Sequence, residues 1–239
     1  WKRVHELLLE GGLAEHVDAF CIHNYPGHLG SKESGNHATW QDLDRSTDST
    51  ALIRFLEKLG AKLPLFCTEF GGFKPDLSSP EGETVAAIEI LHAGTILAHQ
   101  GFIGLNYYQL YDSADSKTFG FLIPRADKRK TRSFVAMQGL IRALAGAVPE
   151  EPRRIPQVRR LDADYSGLVM KAFRRGSEDI LCIWNNADAP KVVRLKVGGG
   201  EVDERRYWGN LKFSATGEFH TETLSVTEGG KASSFEWTV

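Results

Sequence analysis

Side chains capable of chemistry stand at the ends of three short apolar runs. Residues 17–25 close on His23-Asn24-Tyr25 ahead of Pro26-Gly27. Residues 63–68 lead into Glu69, followed by Gly71-Gly72. Residues 101–110 carry Asn106 and Tyr108. A carboxylate at such a point serves as nucleophile, general acid or general base, and the nucleophilic role requires donors that keep it ionised. Each residue taken alone has a plainer role. Glu69 would cap a helix or pair with an Arg, His23 would be a satisfied structural histidine, and the tyrosines would be core. Three neighbouring strand ends all carrying polar groups favour a shared site.

The elements that must position these groups follow from periodicity. Residues 2–10 read as a helix stopped by Gly11-Gly12. Residues 49–60 are amphipathic, with Leu52, Phe55, Leu56 and Leu59 on one stripe and Gly60 as a stop. Pro80 with Glu81 and Glu83 opens a helix that runs to about His99, and residues 133–145 form another. The apolar runs between them are strands. Helix and strand alternate over residues 1–146, the pattern of parallel β/α units. Such strands are covered on both faces, and chemistry sits at their carboxyl ends. Counting by two back from Glu69 puts Cys67 and Leu65 on its face. The same count from Tyr108 gives Asn106 and Gly104.

A charged, Pro-rich linker at 149–156 ends this pattern. Strand-like runs replace it at 167–174, 179–185, 191–197, 205–208, 218–226 and 233–239. Turn residues such as Gly198-Gly199-Gly200 separate them, as in a small antiparallel β-sandwich. The expected domains are therefore 1–148 and 149–239. The class is α/β followed by all-β.

The totals exclude several functions. A net charge of -2 on 239 residues gives no reason to expect a nucleic acid or an anionic membrane as partner. No apolar run reaches the length of a membrane span. Cys21, Cys67 and Cys182 lie in strand-like runs and read as buried free thiols. His23, His28 and His37 match no familiar zinc spacing, so no metal and no cofactor is expected. No Gly-x-Ser-x-Gly elbow occurs for a serine nucleophile. Trp1 already lies in a helix-like run, so the chain looks cut from a longer one, with any targeting segment out of sight.

The ordered set of strand ends resembles the second half of a clan A (β/α)8-barrel glycoside hydrolase, the retaining β-glycosidase superfamily. Ile22-His23-Asn24-Tyr25-Pro26 resembles the end of the sixth strand. Phe66-Cys67-Thr68-Glu69-Phe70-Gly71 resembles the seventh, with its nucleophilic Glu. The segment from Gly104 through Asn106 and Tyr108 to Asp112 resembles the eighth, with Tyr108 where the family usually has Trp. Phe119-Gly120-Phe121-Leu122, followed by Lys128-Arg129-Lys130 and an aromatic helix, resembles the connection to the last helix. The resemblance implies a C-terminal half of a TIM barrel, strands six to eight, with a trailing β-sandwich. It implies a carbohydrate substrate and hydrolysis by double displacement. Glu69 would be the nucleophile and Tyr25 the donor that orients it. His23 would touch that carboxylate or a sugar hydroxyl. Trp40 and Tyr108 would offer flat faces to a sugar ring, and Asn106, His28, Asn36 and His37 would bind hydroxyls. The family's acid/base follows an Asn at the fourth strand, which this sequence does not show; the resemblance implies that it belongs to a missing N-terminal half, and a separate chain carrying that half would be a partner. A non-catalytic carbohydrate-binding or scaffold protein is the alternative, and an inactive fragment is a third.

Overall fold

In a computed structural model, residues 7–24, 48–71, 79–113, 122–150, 158–160, 168–185, 192–197, 212–213, 219–220 and 233–238 are described. The chain forms two compact units, Trp1–Ala143 and Leu144–Val239.

The first unit contains β1 (Phe20–Asn24), α1 (Asp48–Lys58), β2 (Leu65–Phe70), α2 (Pro80–His99), β3 (Phe102–Tyr107) and α3 (Arg132–Leu144). The strands form a parallel sheet in the order β1-β2-β3. Parallel neighbours need crossover connections, and right-handed crossovers stepping in one direction leave both helices on one side of a sheet. α1 lies against β1 and α2 against β3. Phe20, Ile22, Leu65, Cys67, Phe70 and Phe102 are all buried, at 8% exposure or less. Ala86, Ala87, Ile90, Ala93, Ile96 and Leu97 of α2 are buried as well. Cys21, which falls between buried neighbours in β1, is exposed, and so at 68% is Ile103, an extra residue of β3 between the pairs Leu65–Phe102 and Phe66–Gly104. Coverage of both faces was expected; the described residues bury one. The expected burial of Cys21 is corrected with it, and Leu59 is likewise exposed rather than buried with Leu56.

α2 begins as its sequence dictates. Ser79 Oγ accepts from the Gly82 N–H at 3.0 Å, and Pro80 occupies a position that needs no N–H. Where α2 meets α3 there is no room for a side chain. A Cβ on Gly94 would stand 2.4 Å from Leu140 Cδ2. Thr131 caps α3, its Oγ1 accepting from the Phe134 N–H at 3.2 Å and donating to the Leu122 carbonyl at 2.6 Å. Buried Glu83 accepts from the Arg129 guanidinium and from the Arg132 N–H at 3.3 Å. The hydrogen bond to Glu83 pushes Arg129 further toward its charged form. These bonds fasten the segment ahead of α3 to the first turn of α2.

The second unit is antiparallel wherever it is described. One sheet has the order β4-β6-β7, from Val148–Glu150, Leu168–Arg175 and Glu178–Asn185. A second has the order β11-β8-β5, from Ser233–Thr238, Val192–Val197 and Val158–Arg160. A third pairs β9 (Lys212–Phe213) with β10 (Phe219–His220). Ala172 and Phe173 are buried, and the Arg174 Nε donates to Asp179 Oδ1 at 2.9 Å across the β6-β7 hairpin. The expected linker is corrected at its start. Pro149 pairs opposite Phe173 inside β4, an edge strand, where a residue without an N–H is tolerated. Residues 205–208 lie outside the described residues.

Candidate functional site

The register of the parallel sheet decides which groups meet. β1 pairs with β2 as Ile22 opposite Cys67 and then His23 opposite Glu69, so Thr68 is an extra residue on β2. Its hydroxyl donates to the Ile22 carbonyl at 3.4 Å. A bulge of this kind shifts the alternation by one. Cys67 is fully buried on the helix side, whereas Glu69 is 33% exposed. The parity count that placed Cys67 and Leu65 on the face of Glu69 is thereby corrected. The bulge brings Glu69 beside His23, with His23 Nδ1 3.3 Å from Glu69 Oε2. The imidazole is 57% exposed, so the pair is open to solvent and adds about 1 kcal/mol or less to stability. Its value is in orientation.

Behind the carboxylate, the Cys67 thiol donates to the Glu69 carbonyl at 3.2 Å. Burial pushes that thiol up to about 12, against smaller lowering effects of backbone hydrogen bonds at Asn24 and Glu69. It stays protonated and is excluded as a nucleophile. It serves to hold the Glu69 backbone.

β3 carries the remaining expected residues to the same end of the sheet. Phe66 pairs with Gly104, and a Cβ on Gly104 would stand 2.5 Å from the Phe66 ring, so both share a face. That face continues to Asn106, which is exposed. Phe70 pairs with Tyr107 on the covered side, where their rings meet edge to face at 5.6 Å. Tyr108 follows, half-buried, its N–H donating to the Phe70 carbonyl at 2.8 Å. It is thus tied one residue beyond Glu69. The Tyr108–Gln109 peptide is cis.

Of the expected site residues, His23 and Glu69 touch, and Asn106 and Tyr108 lie on the adjacent strand at the same end. Tyr25, His28, His37 and Trp40, with Asn36, lie outside the described residues. Among the described residues no group of His, Cys, Asp and Glu could hold a metal ion, and no helix is long and apolar enough to cross a membrane.

Sequence reasoning missed the segment after β3. Asp112 Oδ1 accepts from the Arg125 N–H at 2.5 Å, the Asp112 carbonyl accepts from Arg125 Nε at 2.8 Å, and the guanidinium lies over the Tyr111 ring at 5.6 Å. Thirteen residues separate Asp112 from Arg125, and no local pattern announces such a pairing.

No known family profile matches the chain, and no curated protein matches it. Among solved structures, a family 39 glycoside hydrolase from the gut symbiont Bacteroides cellulosilyticus WH2 superposes with a TM-score of 0.61 at 16% identity, over 97% of this chain and 44% of that one. A Paenibacillus polymyxa xyloglucanase of glycoside hydrolase family 44 gives a TM-score of 0.48 at 16% identity, over 100% of this chain and 48% of that one. A 4-O-α-L-rhamnosyl-β-D-glucuronidase from Fusarium oxysporum 12S gives 0.48 at 14% identity, over 96% and 53%. The chain spans about half the length, or less, of each. The first of these establishes a likeness of fold: the chain is built like part of a glycoside hydrolase.

Proposed function

We propose that this chain supplies the nucleophile side of a retaining glycoside hydrolase active site. The observation that carries the proposal is the placement of Glu69. It is a partly exposed carboxylate at the carboxyl end of a parallel strand, 3.3 Å from an imidazole on the neighbouring strand. The glycoside-hydrolase-like fold is consistent with it. In this reading a Glu69 oxygen attacks the anomeric carbon of a sugar. The glycosidic bond breaks, and a second carboxyl protonates the departing oxygen. Water then hydrolyses the glycosyl–enzyme ester, and the second carboxyl takes the proton from that water. His23 steers the attacking oxygen. Asn106 and Tyr108 contact the sugar from the next strand. Residues 1–148 are the C-terminal part of a (β/α)8 barrel and residues 149–239 a β-sandwich. The second carboxyl comes from a preceding barrel half, for which the much longer family 39 chain leaves room.

The test uses the complete protein and an aryl β-glycoside. Glu69→Gln lowers kcat by about a thousandfold or more while the fold stays intact. A 2-deoxy-2-fluoro glycoside forms a stable ester on the peptide that contains Glu69, located by mass spectrometry. Unchanged turnover in the Gln variant, or an ester on another residue, removes Glu69 from the role.

A further inference from the structure

The segment between β3 and α3 holds an arginine in a position that fastening the chain does not explain. Arg125 opens a turn closed by the Lys128 N–H donating to the Pro124 carbonyl at 2.9 Å. The turn is pinned to the chain just beyond β3. The Ile123 N–H donates to the Leu110 carbonyl at 2.8 Å, and Tyr111 bridges Ile123. The guanidinium is fixed from two directions, by Nε on the Asp112 carbonyl and by its face on Tyr111. The Asp112 carboxylate is taken up by the Arg125 backbone N–H, so it forms no side-chain ion pair with the guanidinium. Among the described residues both Nη groups have no hydrogen-bond partner, and the side chain is exposed. Tyr111 is itself 42% exposed.

A planar cation oriented in this way, with its outer edge unsatisfied, matches a carboxylate bidentately. Its surroundings favour an anion. Lys128 and Lys130 are exposed on the same stretch, and Arg129 is occupied by Glu83. Asp127, which reaches Arg129 at 3.3 Å, is the one acid within residues 122–131. The turn is pinned to Leu110 and Tyr111, the latter three residues past Tyr108, and so lies beyond the carboxyl end of β3, the end of the sheet that carries Glu69.

We propose that Arg125, held by Asp112 and Tyr111, is a subsite for the carboxylate of an acidic sugar, so that the substrate class is a uronic acid glycoside. This rests on the glycosidase proposal and deepens it. The Tyr111 ring offers an apolar surface beside the charged edge for the C–H face of the same sugar.

The experiment measures binding of methyl β-D-glucuronide and methyl β-D-glucoside to the complete protein by titration calorimetry or NMR, at low and high salt. The glucuronide is expected to bind about tenfold tighter at low salt, with the advantage shrinking as salt rises. Arg125→Gln erases the preference, and Arg125→Lys restores part of it. Equal affinity for the two sugars in the wild type overturns the acidic subsite and leaves the glycosidase proposal standing. A preference that survives Arg125→Gln in a folded variant also overturns it. Absence of binding by both sugars overturns the acidic subsite, whereas the glycosidase proposal stands or falls on the Glu69→Gln and ester-labelling experiments. The wild-type comparison decides the matter even if a variant fails to fold.

Discussion

The two faces of the parallel sheet are made from alternate residues of the same three strands, yet they have opposite character. The side against α1 and α2 is closed by Phe20, Ile22, Leu65, Cys67 and Phe70. The other side presents Cys21, His23, Ile103 and Asn106 to solvent and carries Glu69 at its end. Parallel strands are ordinarily covered on both faces. The first face is therefore a finished core that maintains the strand spacing. The second is the one free to bear a site. Stability should be concentrated in the first and chemistry in the second.

That division is tested most severely at Phe70. Phe70→Ala removes a fully buried ring in contact with Tyr107 and should cost about 3–5 kcal/mol in denaturant unfolding. Ile103→Ser, made on the open face at 68% exposure, should stay within about 0.5 kcal/mol of wild type in residues 1–239 alone, and should cost more where the proposed preceding barrel half covers that face. Comparable losses at both positions would show that something covers the open face in solution.

His92, on the covering helix α2, gives the next largest effect. Burial lowers its pKa to about 4 from an ordinary 6.5. Between these values the unfolded chain binds more protons than the folded one, so stability falls as pH drops from 6.5 toward 4. The loss attributable to this group is at most about 3 kcal/mol. Unfolding measured across this range should show that component in wild type and not in His92→Gln. An identical pH dependence in the two proteins would mean that the imidazole titrates freely.

Thiol labelling separates the faces by rate. With its thiol pushed up to about 12, Cys67 is thiolate in only about one molecule in ten thousand at pH 8. Exposed Cys21 should be alkylated at least about a hundredfold faster in the native state. Equal rates would mean that the covered side opens readily.

Much of this arrangement was legible in the chain. α2 is legible from Pro80 to about His99 because a proline at its start and acids in its first turn agree, and it runs over those residues. The three strands were found from apolar runs bounded by helix stops. The bulge at Thr68 was not, because nothing in Cys-Thr-Glu distinguishes a regular strand from one with an extra residue; only pairing with β1 reveals it. β4 resembles a linker in sequence because Pro and charge dominate there, and its pairing with β6 depends on an edge position that sequence does not display. The Asp112–Arg125 clasp was invisible for a related reason. Contacts between loops depend on where two elements end in space, and side-chain periodicity is silent on that.

The extra residue at Thr68 also affects how this strand is compared with others. Beyond Cys67 every side chain is one step out of phase with an unbulged strand, so an ungapped match to a relative lacking the insertion would equate a core residue with Glu69. Were Thr68 to pair opposite His23 in regular register, the carboxylate would rotate into the oily layer beneath the helices and Phe70 would face outward; deleting Thr68 would instead leave Glu69 opposite His23. The looping-out of one peptide unit therefore sets which side of the sheet receives the acid, and a lineage that lost the unit would keep the facing while shortening the strand by one residue.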